Sequence, residues 1–165
     1  MDRLWSPWRA EHIERTGRDH PDTESIFVQI GSEHRDEENL IVWRGRKTFV
    51  VMNRYPYNNG HLLIVPYRQV ASYTDLTPEE QRELASTMDS CIRWLDEALT
   101  PEGYNIGMNI GAAGGAGIPK HLHVHVVPRW SADTNFMTST AGTKVIPESL
   151  KNTYQKLITA VKSTD

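Results

Sequence analysis

Histidine recurs at every second position in His121-Leu122-His123-Val124-His125-Val126-Val127. A repeat of two is the period of a strand, whose successive side chains point to opposite faces. The three imidazoles therefore share one face, and Leu122, Val124 and Val126 share the other. Branched apolar residues would pack better at the imidazole positions, so the row asks for a chemical use. Two uses compete: three ligands for a metal such as zinc, or one imidazole that attacks an electrophile while its neighbours assist.

Spacing weighs against the metal. Side chains two apart on a strand sit about 6.6 Å apart and the outer pair about 13 Å apart. All three cannot reach one ion at about 2.1 Å without a bulge. The chain has one cysteine, Cys91, and no acidic cluster near the histidines. The nucleophile reading fits better. One ring nitrogen can attack while the other holds the tautomer through a hydrogen bond. His123 alone has a histidine on both sides, which makes it the candidate nucleophile, with His121 and His125 as supports for a phosphoryl group. The preceding loop, Gly111-Ala112-Ala113-Gly114-Gly115-Ala116-Gly117, exposes amides with little side chain in the way, and such a run suits an anion. No Gly-Lys-Ser/Thr follows it, so it is not a P-loop.

Several elements must hold this row in place. Leu40 to Trp43 and Thr48 to Met52 are apolar runs on either side of Arg44-Gly45-Arg46-Lys47, which predicts a hairpin. His61 to Val65 follows the turn-like Pro56-Tyr57-Asn58-Asn59-Gly60 as a third strand. Thr77-Pro78-Glu79-Glu80 predicts a helix start, with Thr as cap, Pro at the first helical position and Glu at the third. Leu84, Met88, Ile92, Leu95 and Leu99 then repeat at helical spacing. Tyr104 to Ile110 and His121 to Val127 are the fourth and fifth strands. A last helix begins near Pro147, with Leu150, Tyr154, Leu157, Ile158 and Val161 on one face. Residues 14–39 show no such period and read as irregular around Ile26, Phe27 and Val28. Short links between neighbouring strands favour antiparallel pairing, so the expected class is α+β, with the helices on one face of the sheet.

At 165 residues the chain is one domain with a core of its own. Its net charge of −3 argues against broad nucleic-acid binding, which needs a basic surface. No apolar run approaches the roughly 20 residues of a membrane span. Nor does the N-terminal stretch carry a secretory signal, so a cytoplasmic setting is the expectation. Cys91, within the helical repeat, reads as a small buried hydrophobe.

The triad, the glycine loop and Pro128-Arg129-Trp130 together resemble the histidine-triad (HIT) superfamily of nucleotidyl hydrolases and transferases. Met52-Asn53-Arg54-Tyr55-Pro56 with Gly60-His61-Leu62-Leu63-Ile64-Val65-Pro66 is similar to that family's nucleotide-side strand and turn. Asn105 to Gly111 with Trp130, Asp133, Asn135 and Phe136, and Leu4-Trp5-Ser6-Pro7-Trp8-Arg9, resemble its bacterial diadenosine tetraphosphate phosphorylase branch. The fragile-histidine-triad hydrolases are near relatives of that branch.

The resemblance implies a five-stranded antiparallel sheet with a long helix and a C-terminal helix, paired as a homodimer with joined sheets. Residues 1–39 would be an N-terminal extension, 40–130 the core, and 131–165 a C-terminal segment and helix of the single domain 1–165. It implies that His123 is transiently nucleotidylated, supported by His121, placed near the leaving group, and by His125. Asn109 and the loop residues Gly115, Ala116 and Gly117 match phosphate-side positions. Asn53 matches a ribose contact, and His61 a histidine close to the site. Humbler roles stand beside these: Asn53 could hold its turn, and His61 and Asn109 could be ordinary strand residues. Trp5, Trp8 and Trp130 read as packing or dimer contacts, and Arg129 as a cation near the site or on the surface.

Many relatives carry a Cys-x-x-Cys zinc element where this chain has Ser25-Ile26-Phe27-Val28, so no structural zinc is expected. The implied reaction is cleavage of dinucleoside polyphosphates at the α-phosphate, by phosphorolysis or hydrolysis. It needs no cofactor, although the substrate can be carried as a magnesium complex. Two other functions fit the same residues: a non-catalytic nucleotide sensor and a metal-dependent phosphohydrolase.

Overall fold

The structure, a computed structural model, describes residues 24–131, 133–134 and 146–164. Five strands form one sheet: β1 (Ile41–Arg44), β2 (Thr48–Met52), β3 (Leu62–Pro66), β4 (Gly103–Met108) and β5 (Val124–Arg129). Their order is β1-β2-β3-β5-β4, and every neighbouring pair is antiparallel. β5 thus lies between β3 and β4, which sets the row of histidines well inside the sheet.

Among the described residues four α-helices surround it: α1 (Ile26–Ser32), α2 (Asp36–Asn39), α3 (Pro78–Leu99) and α4 (Leu150–Thr164). The expected start of α3 is present in full. Thr77 accepts from the Glu80 amide, and the Glu80 carboxylate accepts in return from the Thr77 amide. Helices α3 and α4 pack on the same sheet face and on each other; the Trp94 indole N–H donates to Thr164 Oγ1 at 2.8 Å. Between them and the sheet lie Leu62, Ile64, Val124, Val126, Leu95 and Leu157, all fully withdrawn from solvent. Each such side chain contributes about 1.5–3 kcal/mol to folding. Leu122 joins this core, and Cys91 is buried in it. Burial pushes the Cys91 thiol up, so it stays protonated and inert, as expected of a core cysteine.

Two differences from the sequence reading bear on the site. First, residues 26–32 are helical rather than irregular. Ser25 caps α1 by accepting from the Phe27 amide at 3.1 Å, and Arg44 closes the other end by donating to the carbonyls of Gly31 and Glu33. The Asp36 carboxylate holds that guanidinium. A helix this short, with one buried residue, has no period to read. Second, the helices do not all lie on one face. Phe27 belongs to a second core with Ile41, Phe49, Val51, Leu63 and Val65, on the face opposite α3 and α4. The described C-terminal helix begins at Leu150 rather than Pro147.

Candidate active site

The histidines occupy the α1 face, as their alternation with Leu122, Val124 and Val126 requires. Only His125 lies within a ladder, opposite Leu63 of β3 and Gly107 of β4. His121 and His123 come before β5 begins at Val124, because the His121 amide turns back to the Ile118 carbonyl and the Leu122 amide reaches Val70. The imidazoles nevertheless form one row. The Phe27 ring lies 5.5 Å from His121 and 5.2 Å from His123. The His123 ring is 4.8 Å from His125, and that of His125 is 5.1 Å from His61.

Main-chain groups assign a proton to each ring. A carbonyl can only accept, so His121 Nε2, 2.8 Å from the Pro66 oxygen, carries hydrogen. By the same argument His123 Nδ1, 2.9 Å from the His121 oxygen, is the protonated nitrogen, and His123 Nε2 keeps its lone pair. An amide N–H can only donate, so His61 Nδ1 accepts from Tyr57 at 3.1 Å and its Nε2 carries hydrogen. That hydrogen points to His125 Nδ1 at 2.9 Å, which places the remaining hydrogen of a neutral His125 on Nε2. Two chemically identical rings thus present opposite functions: an acceptor at His123 and a donor at His125.

Burial keeps three of these rings neutral. Burial, then the charges of His125 and His123, pushes His61 down to about 3. Burial also lowers His123, partly offset by its bond to the His121 carbonyl, and lowers His121 against its bond to Pro66. At neutral pH His123 therefore holds its lone pair ready, with no proton to lose first.

The other expected residues lie around this row in different ways. His61 is fully buried and joined to His125. Asn53 is tied to its own turn, accepting from the Tyr55 amide at 3.0 Å and donating to His61 Nδ1 at 3.3 Å. Asn109 is half-buried and donates to the Gly115 carbonyl at 3.3 Å, which fastens the glycine loop to the end of β4. Within that loop the amides of Gly115 and Ala116 bond to the carbonyls of Ala112 and Gly111, leaving Gly117 outside these turns. Gly111 and Gly115 both take positive φ, at 72° and 80°, a conformation glycine adopts without strain. The His121 ring is fully buried, with Nε2 bonded to the Pro66 carbonyl, while the His121 carbonyl accepts from His123 Nδ1.

Trp130 packs as expected, its indole donating to the Thr100 carbonyl, and Arg129 forms an ion pair with the buried carboxylate of Asp133 at 2.6 Å. Trp5, Trp8, Asn135 and Phe136 lie outside the described residues. Two side chains escaped the sequence reading: Phe27, which seals the His121 end, and Tyr57, whose ring is stacked on His125 at 5.6 Å. Tyr57 sits in a turn, where no periodicity marks it.

The Cys-x-x-Cys position is occupied by the α1 cap, Ser25, and by Val28. Among the described residues no group of three His, Cys, Asp or Glu side chains could hold a metal ion. No helix there is long and apolar enough to cross a membrane.

A family model described as the HIT domain matches residues 34–132, well over half the chain and including the whole row of histidines. The chain belongs to the HIT domain family. It is 42% identical over 163 residues to the AP-4-A phosphorylase of Mycobacterium tuberculosis, covering 96% of this chain and 84% of that one. It is 31% identical over 93 residues to the asymmetrical bis(5′-nucleosyl)-tetraphosphatase of Schizosaccharomyces pombe, covering 56% and 50%. In fold it is similar to a zinc-bound histidine triad family protein of Mycobacterium smegmatis. The TM-score is 0.69 and the identity 23%, over 86% of this chain and 96% of that one. The five-stranded antiparallel architecture expected from the sequence is the HIT-like fold.

Proposed function

We propose that this HIT protein is an enzyme that cleaves dinucleoside polyphosphates of the diadenosine tetraphosphate type at the α-phosphate, through a nucleotidyl-histidine intermediate. The observation that carries this reading is the opposed polarity of the two exchangeable rings: His123 Nε2 bears a lone pair, and His125 Nε2 bears a proton. The likeness to an AP-4-A phosphorylase over nearly the whole chain supports the choice of substrate.

In the first step His123 Nε2 forms a bond to the α-phosphorus, and the bond from that phosphorus to the bridging oxygen breaks in line. The oxygen leaves with its electron pair as the terminal phosphate of a nucleoside triphosphate. His125 donates through Nε2 to an oxygen of the transferring group, and a donor fixed in advance needs no reorganisation as charge shifts. In the second step an oxygen of inorganic phosphate attacks the same phosphorus, and the N–P bond breaks. A nucleoside diphosphate departs, and the electron pair returns to His123. Water in place of phosphate would give the monophosphate. His121 and His61 act through their neighbours, fixing the tautomers of His123 and His125. Asn53, Asn109, Gly115, Ala116 and Gly117 border the bound nucleotide, and Gly117 offers its amide on the phosphate side.

No metal or cofactor takes part from the protein, though the substrate can arrive as its magnesium complex. The whole chain acts as one domain, in the cytoplasm, without nucleic-acid or membrane partners. It works as a homodimer. Strand β4 is an edge, and Ile106, Met108 and Ile110 are exposed along it, the surface a second copy would cover to extend the sheet. The deciding experiment follows products from diadenosine tetraphosphate with and without inorganic phosphate. ADP plus ATP formed only with phosphate supports phosphorolysis, and AMP plus ATP supports hydrolysis. Unchanged substrate in both would leave a nucleotide sensor, and activity lost on chelation and restored by a transition metal would leave a metal-dependent phosphohydrolase.

A further inference from the structure

The polarity of the catalytic row depends on a turn outside the strands. Residues 53–61 run between β2, which ends at Met52, and β3, which begins at Leu62. Within them the Tyr57 amide donates to His61 Nδ1 at 3.1 Å, and the Asn58 carbonyl accepts from the His61 amide at 3.2 Å. His61 Nε2 then gives its hydrogen to His125 Nδ1 at 2.9 Å. Turning the Tyr57 amide away would leave His61 Nδ1 to Asn53, at 3.3 Å, and loosen the choice of tautomer.

Asn58 aims this turn. Its side chain is buried, and Nδ2 donates to the Pro128 carbonyl at 3.0 Å and to Asp133 Oδ2 at 2.7 Å. Both partners are acceptors, so the amide can sit only this way round. Asp133 lies 75 residues along the chain from Asn58 and four beyond Arg129, the last residue of β5. Its carboxylate is 5% exposed, and a buried charge is costly unless it is paired and hydrogen-bonded. Arg129 pairs it through Nε and Nη2, and the Trp130 amide donates to Oδ2 at 3.2 Å. These bonds close a circuit. It runs from His125 along β5 to Arg129, across to Asp133, on to Asn58 and its turn, and through His61 back to His125. Each member is thereby oriented before a substrate arrives.

We propose that Asp133 is a positioning residue for catalysis: through Asn58 it fixes the turn that sets the tautomer of His61, and so keeps the proton of His125 on Nε2. The inference rests on the function proposed above and extends it to a carboxylate beyond the row of histidines. A carboxylate that only fastened the end of β5 would need no bond to Asn58, yet the same Oδ2 serves both Arg129 and Asn58. Arg129 uses its charge and Asn58 its acceptor, so substitution can separate the two uses.

Asp133→Asn and Asp133→Ala in the full-length protein make that separation. The asparagine carbonyl can take the place of Oδ2 and still accept from Asn58, while the charge that Arg129 needs is gone; alanine removes both. On diadenosine tetraphosphate, Asp133→Ala should lower kcat about tenfold, less than the roughly 10²–10³ lost with an oxyanion donor outright, and leave KM within about twofold. Asp133→Asn should lose thermal stability yet keep kcat within about threefold of wild type. Asn58→Ala leaves the ion pair whole, should match Asp133→Ala in kcat, and serves if that variant does not fold. Proton–nitrogen correlation spectra of the histidine rings give the direct readout. Wild type and Asp133→Asn should show one protonated and one bare nitrogen on both His61 and His125, and the alanine variants averaged ones. Unchanged kcat in Asn58→Ala, unchanged ring spectra in the alanine variants, or an Asp133→Asn as slow as Asp133→Ala overturns the positioning role and leaves nucleotidyl transfer intact. A wild type that cleaves nothing overturns the proposed function, and the ring spectra then decide the relay by themselves.

Discussion

Replacing His61 by Phe should make the protein less sensitive to acid, and the size of the effect follows from where that ring sits. His61 is fully buried between Tyr57 and His125, and its folded pKa is about 3 against an ordinary 6.5. Above pH 6.5 the ring is neutral whether the chain is folded or not, and its titration contributes nothing. Below that value the unfolded chain takes up a proton that the folded protein refuses until about pH 3, so stability falls as the pH falls. Over the whole interval the loss is on the order of 4–5 kcal/mol, at about 1.4 kcal/mol per unit. Between pH 7 and pH 5 it is about 2 kcal/mol. Phe keeps a ring of similar size and has no proton to gain. Urea unfolding of wild type and His61→Phe at pH 7, 6 and 5 isolates the effect, because the carboxylates titrate alike in both. The gap in unfolding free energy should move against the wild type by about 2 kcal/mol across that range. A gap that stays constant would refute the argument that burial holds this ring neutral.

His123→Ala should abolish turnover of diadenosine tetraphosphate while nucleotide binding stays measurable by calorimetry, and His123→Gly should regain activity with added imidazole. Near-normal turnover in the alanine variant would reject His123 as nucleophile. Ile106→Lys, on the exposed edge of β4, should shift the protein to a monomer by sedimentation. Gly60→Ala should cost roughly 2–4 kcal/mol in chemical unfolding. Its φ of +74° disfavours any Cβ, and the new methyl would overlap Leu99 Cδ1 and crowd Leu95 Cδ2 at 3.1 Å.

The parts of the molecule legible in sequence were those with a period. The capped start at Thr77 stands where the spacing put it, and of the α3 stripe Leu84 and Leu95 are buried with Met88 and Leu99 packed at the core's edge, while Cys91 and Trp94 join them and Ile92 does not. The alternation at His121–Val127 also correctly sorted imidazoles from core residues, although the ladder itself begins only at Val124. Features fixed by single hydrogen bonds were not legible. Nothing in the spacing shows that the His121 ring bonds the Pro66 carbonyl, 55 residues away in the chain. Asn53, which by resemblance matches a ribose contact, is bonded to Tyr55 and His61 within its own turn, and no periodicity reports such bonds. Helix α1 was missed because a seven-residue helix with one buried side chain is stabilised from outside, by Arg44.

The polarity of the catalytic row originates in three main-chain groups: the Tyr57 amide and the carbonyls of Pro66 and His121. No point substitution can delete a peptide carbonyl, and only proline would remove the amide. Mutational robustness therefore differs along the row. Side chains that merely flank it can drift without scrambling which nitrogen attacks, whereas inactivating changes far from the histidines should be those that displace these three peptide units.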